Sequence, residues 1–276
     1  MSISRRRIFN GLLSAFTWLL GLAMFFPILW MALTSFKTEQ MAFSWPPLIV
    51  FRPTLANWIN ALLTSPYLKH FQNTLVVTAS ATLLAIALGV PAAYKLAFHP
   101  TRRSDFTLLW VMSTRMMPAV GVIIPLYIIY RDLGLFDTYA ALTILYAGMN
   151  LPLVIWMMRS FFLDLPFEIV ESARMDGVNL AQELRHIILP LTWPGLAASI
   201  LLCMIFAWNE FFFAFNLTIV QAAPLSVYVS QFKTSEGLYW ASMSAAATAT
   251  VLPVVIAGWF TQRQLVTGLT MGALRE

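Results

Sequence analysis

Glu171-Ser172-Ala173-Arg174-Met175-Asp176-Gly177, running on to Ile187-Ile188-Leu189-Pro190, is the stretch on which the reading of this chain turns. It lies in a charged insert, Asp164 to Pro190, caught between two long apolar runs. Two short helices fit the insert. Pro166 suits a first helical position, where its missing N–H costs nothing. Glu168 and Glu171 place carboxylates in the first half, where they complement the helix dipole. Gly177 suits the residue that stops a helix. The first helix then runs from Pro166 to Met175, about 15 Å at 1.5 Å per residue. Asn179 caps a second helix, with Gln182 three residues on in capping-box position. Pro190 and Pro194 lead into the next apolar run. Ser172 and Ala173 leave room for another backbone or ring to approach. From spacing alone a rigid docking element and a plain amphipathic connector both stay open.

The rest of the chain is built for lipid. Of its 276 residues, 59% are hydrophobic and 11% charged, with mean hydropathy +0.75. Soluble domains carry about 25% charged residues, so these charges cannot cover a water-facing surface of this size. The net charge of +5 comes without a Lys/Arg stripe interleaved with aromatics, which excludes a nucleic-acid footprint. Cys203 is the single cysteine, so there is no internal disulfide and no multi-cysteine metal site. His70, His99 and His186 fall near membrane borders or in loops and read as solvated loop residues, not ligands.

A bilayer crossing takes about 20 apolar residues. Six segments qualify: Ile8 to Leu33, Phe71 to Tyr94, Phe106 to Tyr130, Thr138 to Phe161, Leu191 to Phe215 and Tyr239 to Gln262. The expected fold is an all-α membrane protein of six transmembrane helices, one domain over residues 1–276. The uncharged run from Ile8 to Phe36 is too long for a secretory signal and reads as a retained anchor. With the N-terminus inside, eleven Lys/Arg fall on the cytoplasmic side (Arg5, Arg6, Arg7, Lys95, Arg102, Arg103, Arg159, Arg174, Arg185, Arg263, Arg275). Five fall outside (Lys37, Arg52, Lys69, Arg131, Lys233). That bias puts both termini, the 164–190 loop and a tail from 263 to 276 in the cytoplasm. The Pro- and aromatic-rich segment from Lys37 to Lys69 reads as an outer cover. Ala81, Ala85 and Gly89 share one helical face, either for packing within the chain or against a partner subunit.

Glu-Ser-Ala, two residues, Asp-Gly, nine residues and Ile-x-Leu-Pro closely resemble the EAA motif of permease subunits in binding-protein-dependent ABC importers. The motif sits in the expected place, between the fourth and fifth spans, with Ser172 for alanine as its one departure. Gly134-Leu135-Phe136-Asp137-Thr138, Ala207-Trp208-Asn209-Glu210 and Gln262-Arg263-Gln264-Leu265-Val266-Thr267-Gly268-Leu269-Thr270 are similar to the carbohydrate-uptake, maltose-type branch. Tyr67-Leu68-Lys69-His70-Phe71, Met116-Met117-Pro118-Ala119-Val120-Gly121 and Ala222-Ala223-Pro224-Leu225 look most like its polyol (sorbitol/mannitol) permeases. The resemblance implies that the loop is a coupling helix seated in an ATP-binding subunit. Glu171, Ser172, Ala173, Asp176, Gly177 and Pro190 would make or shape that contact. It further implies a second permease subunit (a heterodimer), two ATP-binding subunits carrying ATP and Mg, a periplasmic or lipid-anchored solute-binding protein, and a bacterial inner-membrane location. The tail after Arg263 would reach towards the ATPase pair.

The chain itself carries no G-x-x-x-x-G-K-[ST] loop, no nucleophile elbow and no H-E-x-x-H. No catalytic residue, metal or bound cofactor is expected. Three polar residues inside spans are substrate-path candidates: Arg115, Asn209 and Glu210. An arginine at the bilayer centre costs about 2.5–3.5 kcal/mol on insertion scales, so it must face the bundle interior, water or a partner. Arg115 either pairs with carbonyls freed by Pro118 or snorkels, or it lines the path and favours an anionic solute such as a sulfonated sugar. Glu210 is either a cavity acceptor or a structural residue of the outer gate. An ion-driven secondary transporter needs buried carboxylates in its spans, and only Glu210 qualifies. A membrane-embedded enzyme needs a His/Asp/Glu cluster that is missing.

Overall fold

The computed structural model describes residues 3–234 and 237–270, with side chains over 9–232 and 239–259. In chain order the helices are α1 (Ile3–Thr34), α2 (Glu39–Ala42), α3 (Ala56–Ile59), α4 (Tyr67–Phe98), α5 (Ser104–Thr114), α6 (Ala119–Asp132) and α7 (Tyr139–Leu163). They continue as α8 (Phe167–Met175), α9 (Leu180–Gln182), α10 (Leu189–Leu191), α11 (Trp193–Asn209), α12 (Phe212–Leu217), α13 (Leu225–Ser230) and α14 (Trp240–Thr270). π-Helical turns occupy Asn60–Thr64 and Glu183–Ile188, and a two-residue hairpin pairs β1 (Lys233–Thr234) with β2 (Gly237–Leu238). Among the described residues, four helices are long and apolar enough to cross a membrane, and two bent pairs raise that to six if each is one span. The expected tail overlaps α14 as far as Thr270; residues 271–276, and the side chains of Arg5, Arg6 and Arg7, lie outside what is described.

The third and fifth expected spans are not straight. The third breaks into α5 and α6 at 87°. Pro118 disfavours a helical conformation at Met117 and has no N–H to give. The chain closes α5 with tight turns instead, Arg115 to the Met112 carbonyl and Met116 to that of Ser113, and restarts with Pro118 as N-cap. The fifth is preceded by an 86° bend at Thr192 and ends at Asn209, six residues short of the expected Phe215, because Glu210 takes an extended backbone (ψ 125°).

The chain divides into two compact units. One comprises residues 1–68 and 229–252, the other 69–228 and 253–276. In the first, the apolar window of α1 is bare of protein; Trp18 is 72% and Met24 81% exposed. An uncharged helical stretch this exposed needs lipid or another subunit around it. The outer segment is tied down by polar contacts. Glu39 accepts from the backbone N–H groups of Ala241 and Ser242, both at 2.9 Å, satisfying orphan donors at the start of α14. Asn57 donates to the Ser35 and Lys37 carbonyls. Lys37 is buried with its ammonium 4.1 Å from the Trp30 ring centroid, and that burial lowers its pKa.

In the second unit, α4, α7 and α11 share a core of Ala85, Val90, Ala93, Val154, Met158, Phe162, Leu196 and Cys203. The small-residue face of α4 turns inward. Ala81 and Ala85 are fully buried, and a Cβ placed on Gly89 would stand 2.6 Å from Val154 Cγ1. That face therefore packs within the chain. Gly134-Leu135-Phe136-Asp137-Thr138 acquires a physical reading here. Gly134 (φ +67°) ends α6 in a Schellman motif, with bonds from Gly134 to Arg131 and from Leu135 to Tyr130. Thr138 caps α7 through the Ala141 N–H. Asp137 reaches across to accept four backbone N–H groups from Ile219, Val220, Gln221 and Ala222 at 2.9–3.1 Å. Burial raises the Asp137 pKa, but the four amides lower it further, and its carboxyl rests below the ordinary range. His70, expected to be solvated, is buried instead. Its Nδ1 lies 2.7 Å from the Ala223 carbonyl, and its ring stacks on Tyr228. His99 Nδ1 is likewise buried, and His186 is exposed as expected.

Candidate functional site

The insert folds as helix, sharp turn, helix. Pro166 (ψ 126°) is the N-cap of α8 and not its first residue, as the spacing suggested. The helix ends in a Schellman motif: Gly177 N–H bonds the Arg174 carbonyl at 3.1 Å, and Val178 N–H that of Ala173 at 3.3 Å. Gly177 sits at φ +79°, a conformation side chains resist. Asn179 and Gln182 then form the reciprocal capping box, at 3.0 and 3.1 Å. A π-helical turn carries the chain to α10 and the bend into α11.

The elbow has two faces. Val170, Ala173 and Ile188 are buried, and Val170 and Ile188 join the core beneath. Glu171, Ser172, Asp176, Gly177 and Pro190 are exposed. Ser172 and Ala173 therefore part company: the alanine packs inward and shapes the elbow, while the serine faces out. Beside the turn, Met175 is 88% and Leu180 56% exposed, two apolar side chains at the tip of a polar element. Neither was singled out from spacing, because exposure at a turn has no periodicity to read.

A second feature escaped the sequence. Glu183 has no exposed side-chain surface, yet it is charged and bonded three ways. Arg174 donates to it from Nε at 2.9 Å and from Nη2 at 3.2 Å, and the Tyr94 hydroxyl donates at 2.7 Å. Burial raises the Glu183 pKa; the Arg174 and Tyr94 hydrogen bonds outweigh it and hold the carboxyl below its ordinary range. Arg174 lies in α8 and Glu183 beyond the turn at Gly177, so no spacing within one helix brings them together on paper.

Within the membrane-crossing part, a cleft of about 330 Å³ opens between α5, α6, α7 and α11, lined by Arg115, Met117, Tyr146, Asn150, Phe206 and Glu210 among others. Two of the three path candidates meet there. Arg115 lays its guanidinium 4.6 Å from the Phe206 ring centroid, and among the described residues no carboxylate lies within ion-pair distance of it. Glu210 lines the cleft, but its oxygens are occupied. One accepts Phe213 N–H at 2.9 Å; the other accepts the Tyr146 hydroxyl at 2.8 Å and Ala214 N–H at 3.1 Å. It caps α12 and anchors it to α7, which is the structural alternative. Asn209 does not join them. Its amide donates back to the Ile205 carbonyl, and it lies outside the cleft lining. Among the described residues, no group of three or more His, Cys, Asp or Glu is placed to hold a metal ion.

Residues 85–266 match the family described as binding-protein-dependent transport system inner membrane component. A probable ABC transporter permease protein of Sinorhizobium fredii is 36% identical over 100% of this chain and 99% of its own length. A trehalose/maltose transport system permease protein of Thermococcus litoralis is 31% identical over 93% and 94%. The crystal structure of a bacterial ABC transporter involved in the import of the acidic polysaccharide alginate superposes with a TM-score of 0.79 at 25% identity, covering 95% of this chain and 98% of that one. With a helical bundle, a capped elbow after the fourth span and a family match over most of its length, the chain belongs to the binding-protein-dependent inner-membrane permeases of ABC transporters, a multi-pass, non-catalytic transport subunit.

Proposed function

We propose that this chain forms, with a second permease subunit, the passage of a carbohydrate importer, and that its elbow seats in one of two ATP-binding subunits. The observation that carries the coupling role is the elbow tip. It is held rigid by a Schellman motif and a capping box, and it presents Glu171, Ser172, Asp176 and Gly177 with exposed Met175 and Leu180 beside them. Apolar side chains this exposed on a stiff polar element fit burial in a partner's cleft. The Lys/Arg bias supports a cytoplasmic position for the elbow and both termini. ATP-driven closure of the partner subunits would then move both permeases as rigid bodies, opening the passage outward to a loaded solute-binding protein and inward on resetting. Co-purification of the chain with its ATP-binding subunit, with and without Glu171→Lys or Gly177→Trp, tests this. The variants are expected to insert but to lose the ATPase and uptake; variants that keep both would refute it.

The proposed solute is a polyol or small sugar. The polyol-like stretches around Tyr67, Met116 and Ala222 support this, as does the likeness to a trehalose/maltose permease. One observation favours a second reading, an anionic sugar derivative: Arg115 faces the cleft with no carboxylate within ion-pair distance among the described residues, while the superposed transporter is involved in the import of an acidic polysaccharide. Calorimetry of the cognate solute-binding protein with sorbitol, a neutral disaccharide and a sulfonated sugar separates the two. Binding of the sulfonated sugar alone would overturn the polyol reading.

A further inference from the structure

The elbow is fastened to the membrane helices in two physically different ways. Val170 and Ile188 rest on the apolar ends of α4, α7 and α11. Apolar contact is non-directional and roughly proportional to area, so it resists separation better than sliding. Glu183 supplies a directional link. Its carboxylate is bonded to Arg174 in α8 and to Tyr94 in the last turns of α4, with Tyr94 itself only 7% exposed and the Glu183 side chain fully enclosed. Charge-assisted bonds are short and about twice as strong as neutral ones. A carboxylate with no access to water has no alternative donor to exchange for Tyr94 while the elbow moves. The Arg174–Glu183 pair closes the elbow on itself; the Tyr94–Glu183 bond leaves it.

We propose that the Tyr94–Glu183 hydrogen bond is the positioning contact through which displacement of the elbow is passed to α4, and so to the passage. This rests on the reading of the elbow as the ATPase-docking element. The division of labour is specific. Arg174 and Glu183 keep the elbow in shape for docking, and Tyr94 makes α4 follow it. Among the described residues, His99, whose ring lies 5.6 Å from that of Tyr94, and Arg174 are the other ionisable groups facing the tie. Tyr94→Phe removes one hydroxyl and leaves the ion pair intact. Glu183→Gln removes the charge but keeps an amide oxygen that Tyr94 can donate to.

The test needs no knowledge of the solute. The assembled transporter is reconstituted with Met117→Cys, a cleft-lining position 62% exposed, in a Cys203→Ser background. Maleimide labelling of the new thiol is timed with and without ATP plus vanadate. The otherwise unaltered transporter is expected to change its labelling rate on trapping. Tyr94→Phe is expected to co-purify with its ATPase at the same ratio yet lose about tenfold or more of that change, the factor corresponding to one hydrogen bond to a charged group. Glu183→Gln, which breaks the Arg174 ion pair, is expected to lose part of its ATPase on co-purification, a defect that Tyr94→Phe lacks. A full ATP-dependent change in Tyr94→Phe overturns the inference. So does loss of the ATPase from that variant, because the hydroxyl would then serve the elbow's shape. Absence of any change in the unaltered transporter, with its ATPase bound, overturns it too. If no ATPase co-purifies even with the native chain, the docking reading fails first, and the two failures are told apart.

Discussion

Asp137→Asn isolates one carboxylate. Asp137 sits at φ +57°, in the left-handed region that Asn tolerates about as well as Asp, so the swap leaves the backbone unstrained. Each carboxylate oxygen accepts two N–H groups: Oδ1 from Ile219 and Ala222, Oδ2 from Val220 and Gln221. Asparagine keeps one acceptor oxygen and turns an NH₂ towards the other two donors. Two charge-assisted bonds are lost, each worth about 1.5–3 kcal/mol. Val220 and Gln221 are exposed, so water restores much of this, and the net loss is about 2 kcal/mol. At roughly 2–4 °C per kcal/mol for chains of 150–250 residues, the melting temperature should fall by about 4–8 °C. Cys203, the one thiol and fully buried, provides the readout: a thiol-reactive fluorophore reports its exposure on heating in detergent. The pH dependence has a defined sign. Because the folded carboxyl is depressed, its contribution is complete above the ordinary Asp pKa near 3.9 and is lost as pH falls through the folded value. The gap between the native chain and Asp137→Asn should therefore be constant from pH 8 to 5 and close below about 4. Equal melting temperatures at pH 7 would show that the carboxylate does not hold the 219–222 loop.

Gly89→Ala forces a methyl against Val154 and should cost about 1–3 kcal/mol of thermal stability in the same fluorophore assay, with Val154→Ala restoring part of it. Glu210→Gln keeps one acceptor for the start of α12 and loses the charge, so stability should drop by about 1 kcal/mol while solute preference in uptake competition stays unchanged. Glu183 is likewise held below its ordinary range, so the Arg174–Glu183 pair is complete above the ordinary Glu pKa near 4.3 and is lost as pH falls through the folded value. Co-purification with the ATPase should accordingly be steady from pH 8 to 5 and weaken below about 4. Gly177→Ala strains a left-handed position by about 1–2 kcal/mol and should weaken ATPase retention without preventing insertion.

Much of the elbow could be read from residue order because its signals are local. Gly177, Asn179 and Gln182 act through bonds to neighbours three or four positions away, and each took the role its chemistry dictates. The spans were legible for a similar reason: length and apolarity are summed over one segment. Pro118 and Glu210 showed the limit. A hydropathy window counts residues and cannot see that a proline's missing donor, or an extended backbone stabilised by a distant tyrosine, turns the axis through a right angle or stops the helix early.

The sequence by itself determined that this chain lives in lipid, where its apolar segments fall, and that one charged insert between them carries its own helix caps and stop signal. It also carried the family, through a motif whose spacing survives any uncertainty in packing. Only the tertiary structure decided which polar residues are engaged. Asp137 meets its amide donors more than eighty positions away, Tyr94 meets Glu183 across eighty-nine, and Glu210 is committed to α12 and Tyr146 while Arg115 stays open to the cleft. The physical reason is that a buried charge is defined by its partners, and those partners are set by how helices pack, not by where they fall in the chain.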